Sequence, residues 1–308
     1  MADRGLSFRE RRRMERTTRN RRGDGLEDVL NELDDMIGMD GVKDEIARIA
    51  DFARVVALKK ERNLPVSNLT FHMVFTGPPG TGKTTVARFV GRLLYELKLL
   101  RKDKLIEVDR SQLVGTHLGD TARIVQDKVK DALDGVLFID EAYTLAGGGG
   151  PTGRTDPFGQ EAIDTLLKLM EDNRDRLVCI FAGYSSEMRR FVESNPGLKS
   201  RISRTIEFPS YDAGELFEIF ESLIQKNGFS LTEDAREEAR KVVNELARDK
   251  SETFGNARVV RQFFEALQPI QAERISESLD ELADYSAISD EDLMRIEADD
   301  ILYYSDHL

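Results

Sequence analysis

The chain has 308 residues, of which 40% are hydrophobic and 33% charged, a composition typical of a soluble globular protein. Its 57 acidic residues outnumber the 45 basic ones and give a net charge of −12, which argues against bulk electrostatic binding to nucleic acid or to an anionic membrane. The single cysteine, Cys179, excludes an internal disulfide framework and favours a reducing compartment. We find no apolar run of membrane-spanning length and no secretory signal, so we expect a cytoplasmic protein outside the membrane.

The chain begins with an arginine-rich arm. Residues 1–22 hold nine Arg against three acidic residues and few large apolar side chains. Such a composition does not support a packed core, so we expect residues 1–25 to be disordered. Two interpretations of the arm stay open, a solvated tail and a docking segment for an acidic partner.

After the arm, the apolar pattern becomes helical. Between Leu26 and Leu64 apolar residues recur at helical spacing, with a break at Ile37–Gly41, which predicts two amphipathic helices. The run Phe71–Thr76 is apolar and rich in residues that favour strands, which predicts a buried parallel strand. From Val86 to Leu97 the helical spacing returns.

Between this strand and this helix lies Gly77–Thr84, which reads GPPGTGKT and fits the phosphate-binding pattern G-x-x-x-x-G-K-[ST]. A strand, a glycine loop and a helix in this order point backbone N–H groups and a positive helix end at phosphates. Lys83 would reach the β- and γ-phosphates, and the Thr84 hydroxyl would bind Mg²⁺. We infer that the chain binds a nucleoside triphosphate, held by Pro79, Gly80, Thr81, Gly82, Lys83, Thr84 and Thr85.

A second apolar run, Gly135–Ile139, ends in Asp140 and Glu141. This pattern predicts a buried strand that presents two carboxylates at its carboxyl end, where α/β sheets place ligands. Asp140 would hold the Mg²⁺ shell, and Glu141 would orient and deprotonate the attacking water. An apolar run that ends in Asp-Glu is common by itself, and its position after a phosphate loop makes it informative.

The remaining pattern predicts an α/β fold. Three further strand candidates are Leu105–Val108, Leu177–Ala182 and Thr205–Phe208, with Cys179 expected to pack in the core. We expect a short helix ending at Phe191, a cation-bearing turn at Asn195–Arg201, and a glycine-rich loop near residue 150. The βαβα order argues for a parallel sheet with helices on both faces.

After Pro209 the pattern is helical only, and it ends in an acidic tail with one short helix near Leu293. We therefore predict two domains after the arm. Residues 26–208 form the α/β nucleotide-binding core with five parallel strands, and residues 209–308 form an all-helical subdomain with the tail.

These motifs together resemble AAA+ ATPases, and the resemblance extends over nearly everything after residue 26. It implies a P-loop NTPase core followed by a helical lid. Several segments narrow it to the branch that holds red-type Rubisco activases, the sporulation ATPase SpoVK and the ATPase module of type VII secretion. Those segments are Gln112–Gly115, Leu137–Tyr143, Gly159–Ile163, Ala182–Tyr184, Ser194–Leu198 and Gly255–Arg258.

The resemblance also implies roles around the nucleotide. Ile37 and Gly38 would form the adenine pocket. Arg201 is similar to the arginine finger, a cation supplied to the γ-phosphate of a neighbouring subunit, although a solvated turn cation is the alternative and Arg204 is a nearby competitor. Arg258 resembles the sensor-2 arginine of the lid, with an ordinary helix-surface arginine as the alternative.

Two positions depart from the wider family. Tyr184 stands where many AAA+ proteins have a sensor Asn after the fourth strand. The loop that usually carries an aromatic residue, an aliphatic residue and Gly in the central pore reads His117-Leu118-Gly119 here.

The resemblance implies an ATPase that uses ATP and Mg²⁺, assembles with itself as a ring, expected to be a hexamer, and remodels a protein client. A nucleic-acid motor or loader is the second hypothesis. The acidic body and the confinement of excess basic charge to the arm disfavour it. A slow nucleotide-gated scaffold is the third, and the intact Asp140-Glu141 pair argues against it.

Overall fold

The computed structural model describes residues 25–66, 70–117, 119–147, 156–280 and 288–307. Residues 1–24 of the predicted arm, Leu118 and most of the glycine-rich loop lie outside these ranges, whereas Gly25, the last residue of the predicted arm, begins a helix. The chain forms two compact units. The first contains the residues up to Gly77 together with Gly82–Phe208, and the second contains Pro78–Thr81 together with the residues from Pro209 onward.

The first unit is built on a five-stranded parallel sheet in the order β2-β3-β4-β1-β5. Every residue of β1, β3 and β4 is buried, which explains why their sequences are continuous apolar runs without alternation. The predicted α/β class with five parallel strands is confirmed. The strands are β1 Met73–Thr76, β2 Leu105–Val108, β3 Val136–Ile139, β4 Val178–Gly183 and β5 Arg204–Glu207.

Helices of the first unit pack around this sheet. They are α1 Gly25–Asp34, α2 Asp40–Glu61, α3 Lys83–Glu96, α4 Asp120–Ala132, α5 Pro157–Asp172, α6 Ser185–Ser194 and α7 Pro196–Arg201. Two local expectations are wrong. The short helix α6 continues to Ser194 instead of ending at Phe191, and most of the expected turn at Asn195–Arg201 is helix α7. Pro196 occupies the start of α7, where its fixed φ suits a helix and its missing N–H is not needed.

Just before β1, the side chain of a buried histidine bonds to the backbone of the neighbouring strand β4. The strand begins at Met73 and not at Phe71 as expected. The Nδ1 atom of His72, whose residue is fully buried, accepts a hydrogen bond from the Cys179 amide at 3.0 Å. Cys179 itself is buried in the core as predicted, and burial raises the pKa of its thiol.

The second unit is helical, as the predicted lid requires, with two additions that the sequence pattern did not indicate. A short parallel strand pair joins β6 Ser230–Leu231 to β7 Arg295–Ile296. The acidic tail holds two helices instead of one. The helices of this unit are α8 Ala213–Lys226, α9 Glu233–Leu246, α10 Ala257–Asp280, α11 Asp290–Leu293 and α12 Ala298–Asp306.

Aromatic packing and one buried ion pair attach the last helix to α10. Phe263 stacks on Phe220 with ring centroids 5.0 Å apart and lies 4.8 Å from the ring of Tyr304. Asp300 is buried and accepts a hydrogen bond from Nε of Arg274 at 2.8 Å.

Across the described ranges, no helix combines the length and the apolar character that crossing a bilayer requires.

Candidate nucleotide-binding and catalytic site

The phosphate loop begins and ends at glycines with positive φ in the first unit. Gly77 has φ +141°, and a Cβ built on it would lie 2.1 Å from the carbonyl oxygen of Phe208. Gly82 precedes α3 with φ +87°. Because other residues strain at these angles and a side chain at Gly77 would clash, the loop needs glycine at both ends.

Lys83 is the first residue of α3, and its Nζ donates to the carbonyl oxygen of Gly77 at 2.8 Å. This hydrogen bond holds the ammonium group over the start of the loop. Thr84 and Thr85 follow in the first turn of α3, Thr84 half-buried and Thr85 exposed. A cation and a hydroxyl therefore lie at a helix N-terminus, as phosphate binding requires.

The middle of the loop, Pro78–Thr81, belongs to the second unit. A Cβ on Gly80 would lie 2.0 Å from the carbonyl oxygen of Gly255 and 3.0 Å from the backbone nitrogen of Arg258. The amide of Ala257 donates to the carbonyl oxygen of Gly80 at 3.3 Å. The first turn of α10, which carries Arg258, therefore packs directly against the loop backbone.

Asn256 is a residue of this site that the sequence analysis quoted only inside a motif. It is fully buried with φ 49°, and its amide group donates to the carbonyl oxygen of Pro79 at 3.2 Å. Its side-chain oxygen accepts from the Tyr211 amide at 2.9 Å. An Asn after Gly and before a helical run signals a left-handed residue, but nothing local indicates a bond to the loop.

Asp140 and Glu141 follow β3 at the carboxyl edge of the sheet. Oδ1 of Asp140 accepts from the backbone amide of Glu141 at 3.0 Å. Glu141 itself has a left-handed backbone with φ 46°, a conformation that costs energy for a residue other than glycine. Both the amide and the hydroxyl of Thr144 donate to the Glu141 carbonyl, at 2.9 and 2.7 Å, and hold this conformation.

The sheet order brings these groups to the edge from which the loop leaves. Strand β4 lies between β3 and β1, so Asp140 is about 10 Å from β1, which is two strand spacings. Tyr184 directly follows β4, between the two positions. The oxygen donors at this edge, the Thr84 hydroxyl and the Asp140 carboxylate, are of the kind that Mg²⁺ prefers, so the residues fit that ion.

Tyr143 is a second residue that the sequence analysis did not single out. Its ring lies 6.0 Å from that of Tyr184. Burial, with a smaller effect of the Glu141 charge, raises the pKa of Tyr143 to about 12. The phenol therefore stays neutral at pH 7 next to the candidate catalytic carboxylates.

Ile37 and Gly38 lie in the turn between α1 and α2, next to the end of the loop. Gly38 has φ 62°, and a Cβ on Gly82 would lie 3.5 Å from Cε of Met39 and 3.6 Å from Cε of Met36. The buried Lys43 holds this turn through hydrogen bonds to the carbonyl oxygens of Asp34 and Met36. The predicted adenine pocket and the loop are thus neighbours within the first unit, with two thioethers beside them.

Arg201 lies at the opposite end of the strands, where β1 and β5 begin. Arg204 pairs with Met73, the first residue of β1, and Arg201 precedes it. The Arg201 guanidinium donates to the carbonyl oxygen of Gly197 at 2.9 Å and lies 3.4 Å from the Glu171 carboxylate. The structure therefore does not bring Arg201 to Gly77 of its own chain.

The predicted pore loop is only partly described. His117 is exposed, and its carbonyl oxygen accepts from the Asp120 amide at 3.2 Å. Gly119 precedes α4 with φ +86°. Leu118 is outside the described residues.

Two protein-family models match the chain. The model for the ATPase family associated with various cellular activities (AAA) matches residues 73–210, and the AAA lid domain matches residues 212–306. Among solved structures, the FIGL-1 AAA domain in complex with ADP has a TM-score of 0.58 at 17% identity and covers 89% of this chain and 82% of that one. At this identity the likeness shows the fold alone.

Curated relatives narrow the assignment. The protein CfxQ homolog of Galdieria sulphuraria is 42% identical over 90% of this chain and 88% of its own length. Stage V sporulation protein K of Bacillus subtilis is 41% identical over 81% of this chain and 76% of its own length. The ESX-3 secretion system protein EccA3 of Mycobacterium tuberculosis is 38% identical over 90% of this chain, which spans only 44% of that relative.

With both family models and these relatives matching, the chain belongs to the AAA ATPase family, in the branch of the CfxQ, sporulation and EccA proteins, and is an ATP hydrolase.

Proposed function

We propose that this protein assembles with copies of itself as a ring, expected to be a hexamer, and couples Mg²⁺-dependent ATP hydrolysis to the remodelling of a protein partner. The observation that carries the proposal is the position of Arg201. If this cation acts on a γ-phosphate, it does so on the nucleotide of another copy.

The strand register supports this assignment. Strands β1 and β5 pair from Met73 opposite Arg204 to Thr76 opposite Glu207. Arg201 precedes the pair and Gly77 follows it, so the length of a four-residue strand, about 13 Å, lies between them. A finger contributed in trans leaves a lone subunit catalytically incomplete, so assembly and turnover should be coupled.

Within one copy, we assign the remaining roles to residues according to where they lie around the phosphate loop. Lys83 binds the β- and γ-phosphates, and Thr84 and Asp140 would hold Mg²⁺, which supplies charge neutralisation on the phosphate oxygens when bound. Glu141 orients the attacking water and takes its proton. The neutral phenol of Tyr143 adds no charge that would compete with the Glu141 carboxylate.

The lid would report the state of the nucleotide. We assign residues 26–208 to the nucleotide-binding core and residues 209–308 to the lid. Because Gly80 and Pro79 bond to Ala257 and Asn256, a shift of the loop backbone on binding phosphate would move the start of α10 and with it Arg258. The acidic body of the chain favours a protein partner over nucleic acid.

Mixing two inactive variants tests the proposal. Lys83→Ala cannot bind ATP, and Arg201→Ala should lose a factor of about 10³–10⁵ in kcat with nucleotide affinity kept. The Lys83→Ala copy still carries Arg201 and can complete the ATP site of an Arg201→Ala neighbour, so the mixture should recover part of the wild-type turnover. Arg204→Ala is the matched control, since Arg204 is a neighbouring exposed cation and should keep its turnover.

Two results would contradict the assignment. Recovery by Arg204→Ala in place of Arg201→Ala would transfer the role to Arg204. Absence of recovery in copies that demonstrably exchange would place the missing cation within one chain.

A further inference from the structure

Glu141 lies between two residues that bond to the same short segment at the end of β2. The amide of Asp140, the residue before it, donates to the carbonyl oxygen of Val108 at 2.8 Å. The carbonyl oxygen of Thr144, three residues after it, accepts from the guanidinium of Arg110 at 3.0 Å. All five residues belong to the first unit. Because Val108 and Arg110 are two residues apart, one segment holds the chain on both sides of Glu141.

Arg110 is itself fixed at both ends. It begins a short 3₁₀ helix that Asp109 caps, with the Asp109 carboxylate accepting from the Ser111 amide at 2.7 Å. At the other end, Nη2 of Arg110 lies 2.6 Å from Oδ2 of Asp156. Burial alone would raise the pKa of Asp156, but the adjacent guanidinium outweighs this effect and holds that pKa below its ordinary value. The two side chains are therefore an ion pair at pH 7.

Asp156 connects this ion pair to helix α5. Its side chain caps the start of α5. A Cβ on Gly147 would lie 2.4 Å from Cβ of Asp156, and a Cβ on Gly159 would lie 2.0 Å from the carbonyl oxygen of Leu145. The segment that carries Thr144 thus packs closely against the first turn of α5, and Arg110 bonds to both.

The segment held in this way includes a strained residue. Glu141 has a left-handed backbone with φ 46°, which costs energy for a residue with a side chain. The amide and the hydroxyl of Thr144 close the turn by donating to the Glu141 carbonyl at 2.9 and 2.7 Å. The Thr144 carbonyl also accepts from the Gly147 amide, at 3.3 Å, a longer bond than the one from Arg110. Since φ of Glu141 sets the direction of its side chain, a displaced Thr144 would turn the carboxylate.

We propose that Arg110 is a positioning residue for ATP hydrolysis, which holds the Thr144 carbonyl in place and thereby keeps the Glu141 carboxylate directed at the attacking water. A guanidinium suits this task because its planar fork donates in two directions at once, with Nη1 toward Thr144 and Nη2 toward Asp156. Arg110 acts through Thr144 and touches neither the nucleotide nor the water. The inference rests on the proposed role of Glu141 as general base, and it does not depend on Arg201 or on the ring.

Turnover and equilibrium ATP binding of three variants test the inference. Arg110→Ala should lower kcat by about 10- to 100-fold, since a misplacement of about 1 Å can cost two orders of magnitude. Its Kd for ATP should stay within about twofold of the wild type, because Lys83 and the phosphate loop are intact. Arg110→Lys keeps the charge beside Asp156 without the fork, so it should recover part of kcat. Asp156→Asn still caps α5, so it should lower kcat by less than Arg110→Ala.

Arg236→Ala is the matched control. Nε of Arg236 lies 2.6 Å from the carboxylate of Glu221 in the second unit, and 45% of the Arg236 side chain is exposed, compared with 37% for Arg110. Its loss should change neither kcat nor the Kd for ATP. An equal fall of kcat in Arg236→Ala and Arg110→Ala would overturn the inference, since any ion pair of this kind would then have the same effect.

Thr144→Val tests whether the effect passes through Thr144. This substitution removes the hydroxyl that donates to the Glu141 carbonyl and keeps the branched shape of the side chain. It should lower kcat by itself. Combined with Arg110→Ala, it should lower kcat by less than the product of the two single effects, because both act on the same turn. A wild-type kcat of Thr144→Val, or a combined loss equal to the product, would overturn the inference.

Other measurements separate positioning from a purely structural role. Thermal unfolding of Arg110→Ala, and its sedimentation with a non-hydrolysable ATP analogue, should match the wild type. A wild-type kcat, a parallel loss of ATP affinity, or a loss of assembly that accompanies the fall in kcat would overturn the inference. If Arg110→Ala does not fold, Arg110→Lys and Asp156→Asn carry the same test, each with a lowered kcat at unchanged Kd.

Glu141→Gln distinguishes failure of this inference from failure of the proposed function. If Glu141→Gln keeps wild-type turnover, Glu141 is not the base, and the role of Arg110 falls with it. If Glu141→Gln is inactive and Arg110→Ala turns over like the wild type, Glu141 stays the base and the positioning role of Arg110 alone is overturned.

Discussion

The two ends of the strands in the central sheet are built differently. We call them the carboxyl edge, where the strands end, and the amino edge, where the strands begin. At the carboxyl edge, Gly77, Gly82 and Glu141 all have positive φ, and the Lys83 ammonium lies over the loop backbone. At the amino edge, the side chains bond to their own unit. His72 accepts from Cys179, and the Arg201 guanidinium donates to the carbonyl oxygen of Gly197.

The comparison shows where each edge obtains its function. The carboxyl edge holds the candidate groups for nucleotide chemistry in its own chain and tolerates strained backbone there, as functional sites do. The amino edge is a packed network whose one candidate catalytic group, Arg201, has no nucleotide loop beside it. Under the assignment that we propose, its contribution depends on another copy.

The largest expected effect comes from breaking the carboxyl edge. Lys83→Ala should abolish ATP binding, because this is the cation placed over the loop. Glu141→Gln should keep binding and stop turnover, because it retains the shape of the side chain without the base, and general-base catalysis alone contributes a factor of about 10²–10⁴. Equilibrium ATP binding and single-turnover hydrolysis measure the two effects separately.

Arg88→Ala is the matched control for Lys83→Ala, since Arg88 is an exposed cation on the same helix. It should change neither binding nor turnover. Equal ATP affinity of Lys83→Ala and Glu141→Gln would contradict the division of roles between these two residues.

Most of the carboxyl edge could be predicted from sequence, whereas the hydrogen bonds of the amino edge could not. The strand, the glycine loop and the helix are adjacent in the chain, so local spacing already places Lys83. At the amino edge the bond from Cys179 to His72 joins residues 107 apart, and in the phosphate loop the bond from Asn256 to Pro79 joins residues 177 apart. Periodicity carries no information on such pairs.

The same reasoning explains the missed short elements. The paired strands β6 and β7 have two residues each, too few for an alternating pattern. Helix α7 has six residues, and its Pro-Gly start is also typical of a turn. Tertiary contacts decide such segments, and the sequence pattern alone does not.

His72 sharpens the comparison at the amino edge. Burial is the main cause that lowers the pKa of His72 to about 4, with the Arg201 charge lowering it further and the Glu171 charge raising it. The unfolded chain, with a His pKa of about 6.5, therefore binds a proton that the folded chain does not accept. Stability should fall as the pH falls from about 6.5 to 4, and this group accounts for about 2 kcal/mol between pH 7 and pH 5.

Urea unfolding of the wild type and His72→Gln at pH 7 and pH 5 measures this effect. The substitution removes the titrating group but keeps a side-chain oxygen that can accept from the Cys179 amide. Between pH 7 and pH 5 the free energy of unfolding of His72→Gln should therefore change by about 2 kcal/mol less than that of the wild type. His307→Gln is the control, since this histidine is exposed. An equal pH dependence of wild type and His72→Gln would show that His72 does not titrate as described.

The smallest expected effect on basal turnover belongs to His117, which follows β2 and its short turn beyond the carboxyl edge. The residue is exposed, and its backbone carbonyl, which accepts from Asp120, is independent of the side chain. If His117 grips an extended peptide in the central pore, a flat ring is what the task needs, and imidazole is a smaller and more polar ring than that of Tyr. His117→Ala should then leave basal ATPase activity within about twofold of the wild type, as surface substitutions usually do. The same substitution should abolish the binding of fluorescent, permanently unfolded casein to the ATP-loaded Glu141→Gln ring. His117→Tyr should bind casein at least as well as the wild type, because it offers a larger apolar face.

Thr116→Ala, on the neighbouring exposed residue, is the control. Casein binding that survives in His117→Ala would remove this residue from the pore, and a parallel fall in ATPase and casein binding would assign it to support of the loop instead.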